Sequence, residues 1–269
     1  MYAEDFEYDG RYLSDYNFII CNFGDKGIEN ISGGSDISFN KVMREQGKIY
    51  GLSGTQYGEC LECSFQICKN PCIYNDYGID NEEYREIMRW LNRREFLPFK
   101  PFNGETGGNE EIWFNGSFNI NKLIMNGKTY GLELTLVTDK PFGYGKEISK
   151  TFGFTAGNQI KVFTDTSDEI GITYPDMKIR CMSSGDLTIE NTTYPCTTVI
   201  KNCSYGEIIN ITGGTKIITT SLADHDIADD FNYEFFKVEN KFGQRDNKIR
   251  VSMPCEIKMS YYPIIKDTP

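Results

Sequence analysis

The sequence is poor in histidine and tryptophan. Its 269 residues include one histidine, His225, and two tryptophans. A single imidazole excludes a histidine-rich metal site, and any serine–histidine–aspartate mechanism would depend on that one ring. His225 lies between Asp224 and Asp226 in a polar stretch that is typical of a loop. We therefore expect His225 to be a solvated loop residue rather than a member of a catalytic site.

The chain is also poor in positive charge and has no long apolar run. It has 28 Lys and Arg residues against 39 Asp and Glu, so its formal net charge is −11. A protein that grips nucleic acid needs cations to replace the phosphate counterions, and this balance disfavours such a role. No apolar run approaches the roughly 20 residues of a membrane span, and the N-terminus lacks the basic and apolar regions of a signal peptide. We expect a protein made in a cytoplasm, with no membrane partner.

The motifs of common enzyme classes are missing from the sequence. It has no Walker loop, no Rossmann glycine pattern, no nucleophile elbow and no His-Glu-x-x-His. Adjacent acids such as Asp229 and Asp230 are common in loops, and nothing supplies a nucleophile, a base and an electrophile together. We therefore predict no catalytic residues, no cofactor and no enzymatic activity.

Nine cysteines are present, and four of them, between residues 60 and 72, have the spacing C-x2-C-x4-C-x3-C. An odd count in a long chain argues against a disulfide framework. The first spacing is zinc-like, but residues 60–68 are typical of one strand, which places Cys63 on the face opposite Cys60 and Cys68. We therefore expect no metal site here, but small, half-buried thiols in a reducing compartment.

One helix is predicted in a chain whose other patterns favour strands. Aromatic residues make up 14% of the sequence, and flat rings suit a pleated sheet. Asp80 is a candidate N-cap, and Glu83 completes a capping box with it. The residues after Asp80 that share one helical face are Tyr84, Ile87, Met88 and Leu91.

Turn signals predict hairpins and a domain boundary. A polar tip between two β-arms predicts a projecting hairpin over residues 40–54. Asn126-Gly127 and Gly213-Gly214 predict two further hairpins, because these residues accept the backbone of tight turns. Pro141 and two glycines within residues 139–145 predict the end of a first domain.

The second half is predicted to consist of short strands without a convincing helix. Their spacing of about ten residues, with glycine-rich turns, is typical of a β-sandwich or jelly roll. One of these strands is expected near residues 233–238, after a turn at 229–232. We therefore divide the chain into domains at 1–142 and 143–269, with the last strand packing back on the first domain as an option.

Short segments along nearly the whole chain form an ordered set, and none of them is catalytic. The segments are 6–10 (FEYDG), 14–16 (SDY), 19–21 (IIC), 89–91 (RWL), 113–118 (WFNGSF), 126–127 (NG), 139–143 (DKPFG), 174–175 (YP), 206–207 (GE), 230–232 (DFN) and 247–251 (NKIRV). In this order they resemble the distal tail proteins (the Dit family) of long-tailed bacteriophages. The chain departs from the family in its high cysteine count and in having no long insertion in the second domain.

The resemblance implies a mainly β protein. Its N-terminal domain would be tail-tube-like with one helix, and its C-terminal domain would be a galectin-like β-sandwich. Six copies would form a ring at the virion tail tip, assembled in the host bacterial cytoplasm. The ring would join the tail tube protein to the tail-associated tip protein and support receptor-binding proteins. DNA would pass through its channel without being specifically bound.

The resemblance also assigns one candidate contact site. The hairpin tip at Arg44, Gln46 and Gly47 is similar to the family's belt loop, which touches the neighbouring subunit.

Part of the negative charge is expected to line the channel, since an acidic lumen repels phosphates. Two alternatives stay open: a carbohydrate-binding module that recognises host cell-wall glycans through Tyr or Phe, and a hydrolase that depends on His225 or on Asp229 with Asp230.

Overall fold

The computed structural model describes residues 3–23, 36–43, 50–58, 60–102 and 112–267 of a mainly β protein. The chain divides into two compact units. The first comprises Met1–Gly145 together with Ile265–Pro269, and the second comprises Lys146–Ile264. The predicted mainly β class is confirmed.

The first unit is built on an antiparallel sheet with the strand order β2-β1-β7-β8-β9-β6-β3. A 3-10 turn spans Leu13–Tyr16, and one α-helix, α1, spans Asn81–Leu91. The strands of this unit are β1 (Asp5–Tyr8), β2 (Arg11–Tyr12), β3 (Phe18–Cys21), β4 (Ile37–Met43), β5 (Tyr50–Tyr57), β6 (Glu62–Lys69), β7 (Leu97–Phe102), β8 (Phe114–Met125), β9 (Lys128–Thr138) and β10 (Gly143–Tyr144).

The predicted helix is confirmed at its N-terminus in atomic detail. Asp80 Oδ1 accepts hydrogen bonds from the backbone N–H groups of Glu82 and Glu83, at 2.8 and 2.9 Å. Glu83 Oε2 accepts in turn from the backbone N–H of Asp80 at 2.9 Å, which completes the capping box. These backbone hydrogen bonds, that of Glu83 first, hold the pKa of Asp80 below its usual value. The buried residues of α1 are Ile87, Trp90 and Leu91.

Aromatic side chains fill the core between α1 and the sheet. The ring of Phe6 stacks on Trp90 with centroids 5.7 Å apart and meets Phe118 at 5.9 Å. Trp90 Nε1 donates to the backbone carbonyl of Tyr8 at 2.9 Å, and the Tyr8 hydroxyl donates to the carbonyl of Gly116 at 3.1 Å. Burial raises the pKa of Tyr8 to about 12. Each buried polar tip therefore has a partner, as a dry core requires.

The long β8–β9 hairpin turns at Asn126 and Gly127, as predicted. Their φ angles are 49° and 76°, the left-handed conformation that a two-residue hairpin turn needs. Strand β9 begins directly after the turn and spans Lys128–Thr138.

The second unit is a β-sandwich. A five-stranded sheet has the order β11-β21-β14-β17-β18, and a four-stranded sheet has the order β12-β20-β15-β16. Both sheets contribute alternate residues to one apolar core, so their inner faces pack together. The strands are β11 (Ile148–Phe154), β12 (Ile160–Thr164), β13 (Gly171–Thr173), β14 (Asp176–Cys181), β15 (Gly185–Asn191), β16 (Cys196–Cys203), β17 (Ile208–Thr212), β18 (Ile217–Thr220), β19 (Val238–Asn240), β20 (Asp246–Val251), β21 (Cys255–Tyr261) and, at the unit boundary, β22 (Ile264–Ile265).

The region between β18 and β20 differs from the sequence prediction. A short helix, α2 (Ile227–Asp230), occupies part of a half predicted to lack helices. The strand predicted near 233–238 is wrong, because residues 233–237 are not extended in a sheet and Tyr233 has a φ of 57°. A strand begins only at Val238, and β19 pairs with β13 in a small ribbon of its own.

Among the described residues, one edge strand of each sandwich sheet carries a lysine at a core-facing register position. Lys150 of β11 is in register with Met259, and Lys161 of β12 is in register with Ile249. Met259 and Ile249 are fully buried, whereas both lysines are exposed. A charge at a core-facing position of an edge strand discourages the addition of another strand.

A buried carboxylate anchors the segment that follows β12. Asp165 is 3% exposed and accepts hydrogen bonds from the Tyr261 hydroxyl at 3.1 Å, from Asn240 Nδ2 at 2.6 Å and from Ser167 Oγ at 3.0 Å. Ser167 Oγ also accepts from the backbone N–H of Ile264 at 3.2 Å. The network therefore fixes the loop after β12 to the ends of β19 and β21 and to the start of β22.

Candidate assembly surface

The hairpin formed by β4 and β5 is the candidate assembly surface of the first unit. The strands pair from Ile37 with Tyr57 to Met43 with Tyr50, with a register shift at Asn40 and Lys41. Among the described residues they form a two-stranded sheet of their own, outside the seven-stranded one. The predicted pairing of two β-arms in this region is therefore confirmed, with arms at Ile37–Met43 and Tyr50–Tyr57.

This hairpin exposes large apolar side chains. Phe39 is 57% exposed and Leu52 is 61% exposed, and Ile37 and Val42 are exposed to a similar extent. An isolated two-stranded hairpin is marginally stable in water, and clustered exposed apolar groups are typical of a surface that binds another protein. These exposed apolar side chains make the hairpin a candidate surface for binding another protein. The predicted belt-loop residues Arg44, Gln46 and Gly47 lie between its strands, outside the described residues.

The solvated-loop prediction for His225 is wrong. Its side chain is only 5% exposed, and its Nδ1 lies 2.6 Å from Oε1 of Glu207, whose side chain is fully buried. Its Nε2 lies 3.4 Å from Oδ2 of Asp230. Glu207 also accepts from the Thr220 hydroxyl and, at 2.8 Å, from the backbone N–H of Ser204. The histidine thus links the loop after β18 to the turn before β17.

The pKa values of this pair move in opposite directions. Burial by itself would lower the pKa of His225, but the hydrogen bond and charge of Glu207 outweigh it and the pKa is raised. Burial would raise the pKa of Glu207, but hydrogen bonds from Thr220, Ser204 and His225 lower it. Both shifts favour the charged pair, which is the signature of a structural ion pair.

Asp229 and Asp230, the acids of the hydrolase alternative, make local contacts that stabilise the fold. Both carboxylate oxygens of Asp230 accept from Asn202 Nδ2, at 3.0 and 2.9 Å. Asp229 is exposed, and its backbone N–H is bound by the N-cap residue Asp226. These contacts cap α2 and tie it to β16.

The clustered cysteines are spread over different surroundings. Cys60 and Cys72 are exposed, whereas Cys63 packs against the core of the first unit. Burial, followed by a hydrogen bond to Cys68, raises the pKa of Cys21 on the adjacent strand. Within the part of the chain that the structure describes, no three His, Cys, Asp or Glu residues are placed to hold a metal ion. Nor does that part contain a helix of the length and apolarity that would be needed to cross a membrane.

Comparison with known proteins identifies the family. Residues 1–140 match the model of a phage tail protein N-terminal domain, and residues 142–261 match that of a phage tail C-terminal domain. The chain belongs to this family of phage tail proteins. The matches confirm the prediction of a structural tail protein rather than an enzyme.

Two relatives extend the comparison. The chain is 24% identical over 191 residues to the SPbeta prophage-derived uncharacterized protein YomH of Bacillus subtilis (strain 168), covering 70% of this chain and 72% of that protein. Its fold is similar to that of the crystal structure of the phage SPP1 Dit protein, with a TM-score of 0.65 at 13% identity, over 96% of this chain and 98% of that one. That protein is described as a paradigm of the hub of the adsorption apparatus in phages that infect Gram-positive bacteria. The predicted resemblance to distal tail proteins is confirmed.

Proposed function

We propose that six copies of this tail protein form a ring at the virion tail tip. The ring joins the tail tube protein to the tail-associated tip protein and supports receptor-binding proteins on its outside. The fold shared with the SPP1 Dit protein, described as an adsorption hub, supports this assignment. The second unit is proposed to be the galectin-like outer domain.

The observation that carries the proposal is the β4–β5 hairpin. A cyclic ring needs a head-to-tail contact in which one surface of each subunit meets a different surface of the next. A two-stranded arm with exposed Phe39 and Leu52 supplies one such surface. In the ring, its apolar side chains would be buried against the neighbouring subunit, with Arg44, Gln46 and Gly47 at the contact. Burial of this kind stabilises by about 25 cal/mol per Å² of apolar surface.

The charge of the chain is compatible with a DNA channel. A net charge of −11 gives six subunits ample carboxylates to line a lumen. Phosphates are repelled by such a surface, so the genome slides rather than sticks. A basic lumen in a structure of the ring would contradict this part of the proposal.

The mass of the purified protein in solution, followed by negative-stain imaging, tests the ring. Six chains of 30.8 kDa give about 185 kDa, and the particles should show a central hole. Replacing Phe39 and Leu52 with serine should shift the protein to monomers, whereas the control change Ile160→Ser, at an exposed apolar residue of β12, should leave the ring intact. A monomer at every concentration, alone and when co-expressed with the tail tube and tip proteins, would overturn the proposal. If such a monomer bound glycans on an array, the carbohydrate-binding module would replace the ring as the proposed function.

A further inference from the structure

Among the described residues of the first unit, two adjacent apolar side chains at the end of the β8–β9 hairpin are largely exposed. Ile124 is 63% exposed and Met125 is 61% exposed. Side chains alternate between the two faces of a strand, so Ile124 shares a face of β8 with Phe118, six residues earlier. Phe118 is buried in the core between α1 and the sheet. Ile124 is therefore the uncovered end of the apolar stripe that α1 covers.

The first turn of α1 lies beside this hairpin end. The backbone N–H of Ile79, just before the helix, donates to the carbonyl of Thr129 at 2.8 Å, and Thr129 is in register with Ile124. Nζ of Lys122 lies 3.8 Å from the centroid of the Tyr84 ring. The helix thus packs along β8 as far as Lys122 and begins too late to cover Ile124.

A third apolar side chain and a set of acids surround the hairpin end. Tyr77, two residues before Ile79, is also exposed. We call Tyr77, Ile124 and Met125 the acceptor surface. Residues 76–86 contain five acids and one arginine, and the two lysines of the hairpin end offset two of these charges, which leaves a net charge of −2. The exposed acids are Asp76, Asp80, Glu82 and Glu86.

The β4–β5 hairpin has a face of matching chemistry. Ile37, Phe39 and Lys41 alternate along β4 and so lie on one face, and Leu52 joins that face because it is in register with Lys41. All four residues are exposed. Residues 37–57 have three cations and one acid, a net charge of +2. This face is therefore apolar and positively flanked, whereas the acceptor surface is apolar and negatively flanked.

The two surfaces do not cover each other within one subunit, since both are exposed in the same chain. A head-to-tail ring uses two different surfaces of every subunit, and one of them meets the other on the next copy. Phe96, another exposed apolar residue of the first unit, lies past the opposite end of α1. Residues 89–96 there have a net charge of +2, which would repel the β4–β5 hairpin.

We propose that the acceptor surface binds the β4–β5 hairpin of the neighbouring copy of this chain. The assignment rests on the proposed ring and names the second of the two surfaces in its repeating contact. Phe39 and Leu52 of one copy are buried against Ile124 and Met125 of the next, and Lys41 faces the acids at the start of α1.

Replacing Ile124 and Met125 together with serine tests the assignment in the full-length protein. At a concentration at which the wild type forms rings of about 185 kDa, this acceptor variant should have the 30.8 kDa mass of a monomer. Its circular dichroism spectrum and melting temperature should match the wild type, because both side chains are exposed. Phe96→Ser is the matched control, since it also removes an exposed apolar side chain from the first unit, and it should keep the ring.

A mixing experiment shows whether the two surfaces bind each other. The acceptor variant retains its β4–β5 hairpin, whereas the variant with serine at Phe39 and Leu52 retains the acceptor surface. Each should be a monomer alone, and their equimolar mixture should contain pairs with one copy of each. Two chains of 30.8 kDa give about 62 kDa. Native mass spectrometry with one variant labelled with nitrogen-15 identifies the pairs, and a misfolded variant would form none.

The possible failures are distinguishable. A wild-type chain that forms no ring overturns the proposed function, and this is seen before any variant is compared. A ring that persists in the acceptor variant overturns only the present assignment, as does a mixture that contains monomers alone. If the acceptor variant keeps its ring but no longer binds co-expressed tail tube protein, Ile124 and Met125 belong to that contact, and the assignment to a neighbouring copy is wrong.

Discussion

Nδ1 of His225 lies 2.6 Å from Oε1 of Glu207, and the two side chains are 5% and 0% exposed. The residues are 18 positions apart in the chain. Their contact fastens the loop that carries α2 to the turn between β16 and β17. A buried carboxylate that loses its partner is left with an uncompensated charge, which is costly.

Replacing His225 with glutamine should lower the free energy of unfolding by about 1–3 kcal/mol near pH 6. The raised pKa of His225 contributes stability that is complete below 6.5 and is lost as pH rises through the folded-state value. The lowered pKa of Glu207 contributes stability that is complete above 4.5 and is lost as pH falls through its folded-state value. The pair should therefore stabilise the folded state most between pH 4.5 and pH 6.5.

Thermal unfolding across a pH series measures this effect. The difference between wild type and His225→Gln should be largest in that window and shrink on its alkaline side. Asp229→Asn, at an exposed neighbouring acid, should change the melting temperature little at any pH. A constant difference across the series would show that packing, not charge, holds the loop.

Local signals predicted the elements whose partners are close in sequence. The Asp80–Glu83 capping box and the Asn126-Gly127 turn need residues at most three positions apart, so the pattern contains the whole interaction. His225 was misjudged because its partner Glu207 is brought to it by the fold, while the adjacent acids suggest solvent. The aromatic run at residues 233–236 is typical of a strand, but the left-handed backbone of Tyr233 ends any extended conformation there. The sequence predicted the β4–β5 hairpin but not that its apolar side chains would be exposed.

Gly213 should not tolerate a side chain, whereas its neighbour Gly214 should. A Cβ on Gly213 would overlap the backbone carbonyl of Tyr174 and lie 2.7 Å from that of Pro175. Backbone atoms cannot move aside as a flexible side chain can, so Gly213→Ala should cost about 2–4 kcal/mol. Gly214 has no atom within 4 Å of the same position, and Gly214→Ala should change stability by less than about 1 kcal/mol. Urea unfolding of the two variants compares them directly, and equal losses would contradict the packing described for this turn.

The Asp165 network should be intolerant of an apolar replacement. In Asp165→Ala, the buried donors on Tyr261, Asn240 and Ser167 lose their shared acceptor, which should cost about 2–4 kcal/mol. Asp246→Asn is the matched control, since Asp246 is exposed and accepts from the Thr164 hydroxyl at the surface. The control should fall within about 0.5 kcal/mol of wild type. Chemical denaturation followed by tyrosine fluorescence measures both, and a mild effect of Asp165→Ala would mean that water replaces the carboxylate.

The inward-register lysines of β11 and β12 have a consequence for crowding. In the proposed ring, six sandwiches would be held in one particle at an effective concentration in the millimolar range. At that density the open edges of neighbouring copies would collide often, and bare edges would join into continuous sheets. With Lys150 and Lys161 in place, each such joining would bury an unpaired ammonium group. The outer domains could then stay close together for the lifetime of the particle and remain separate bodies.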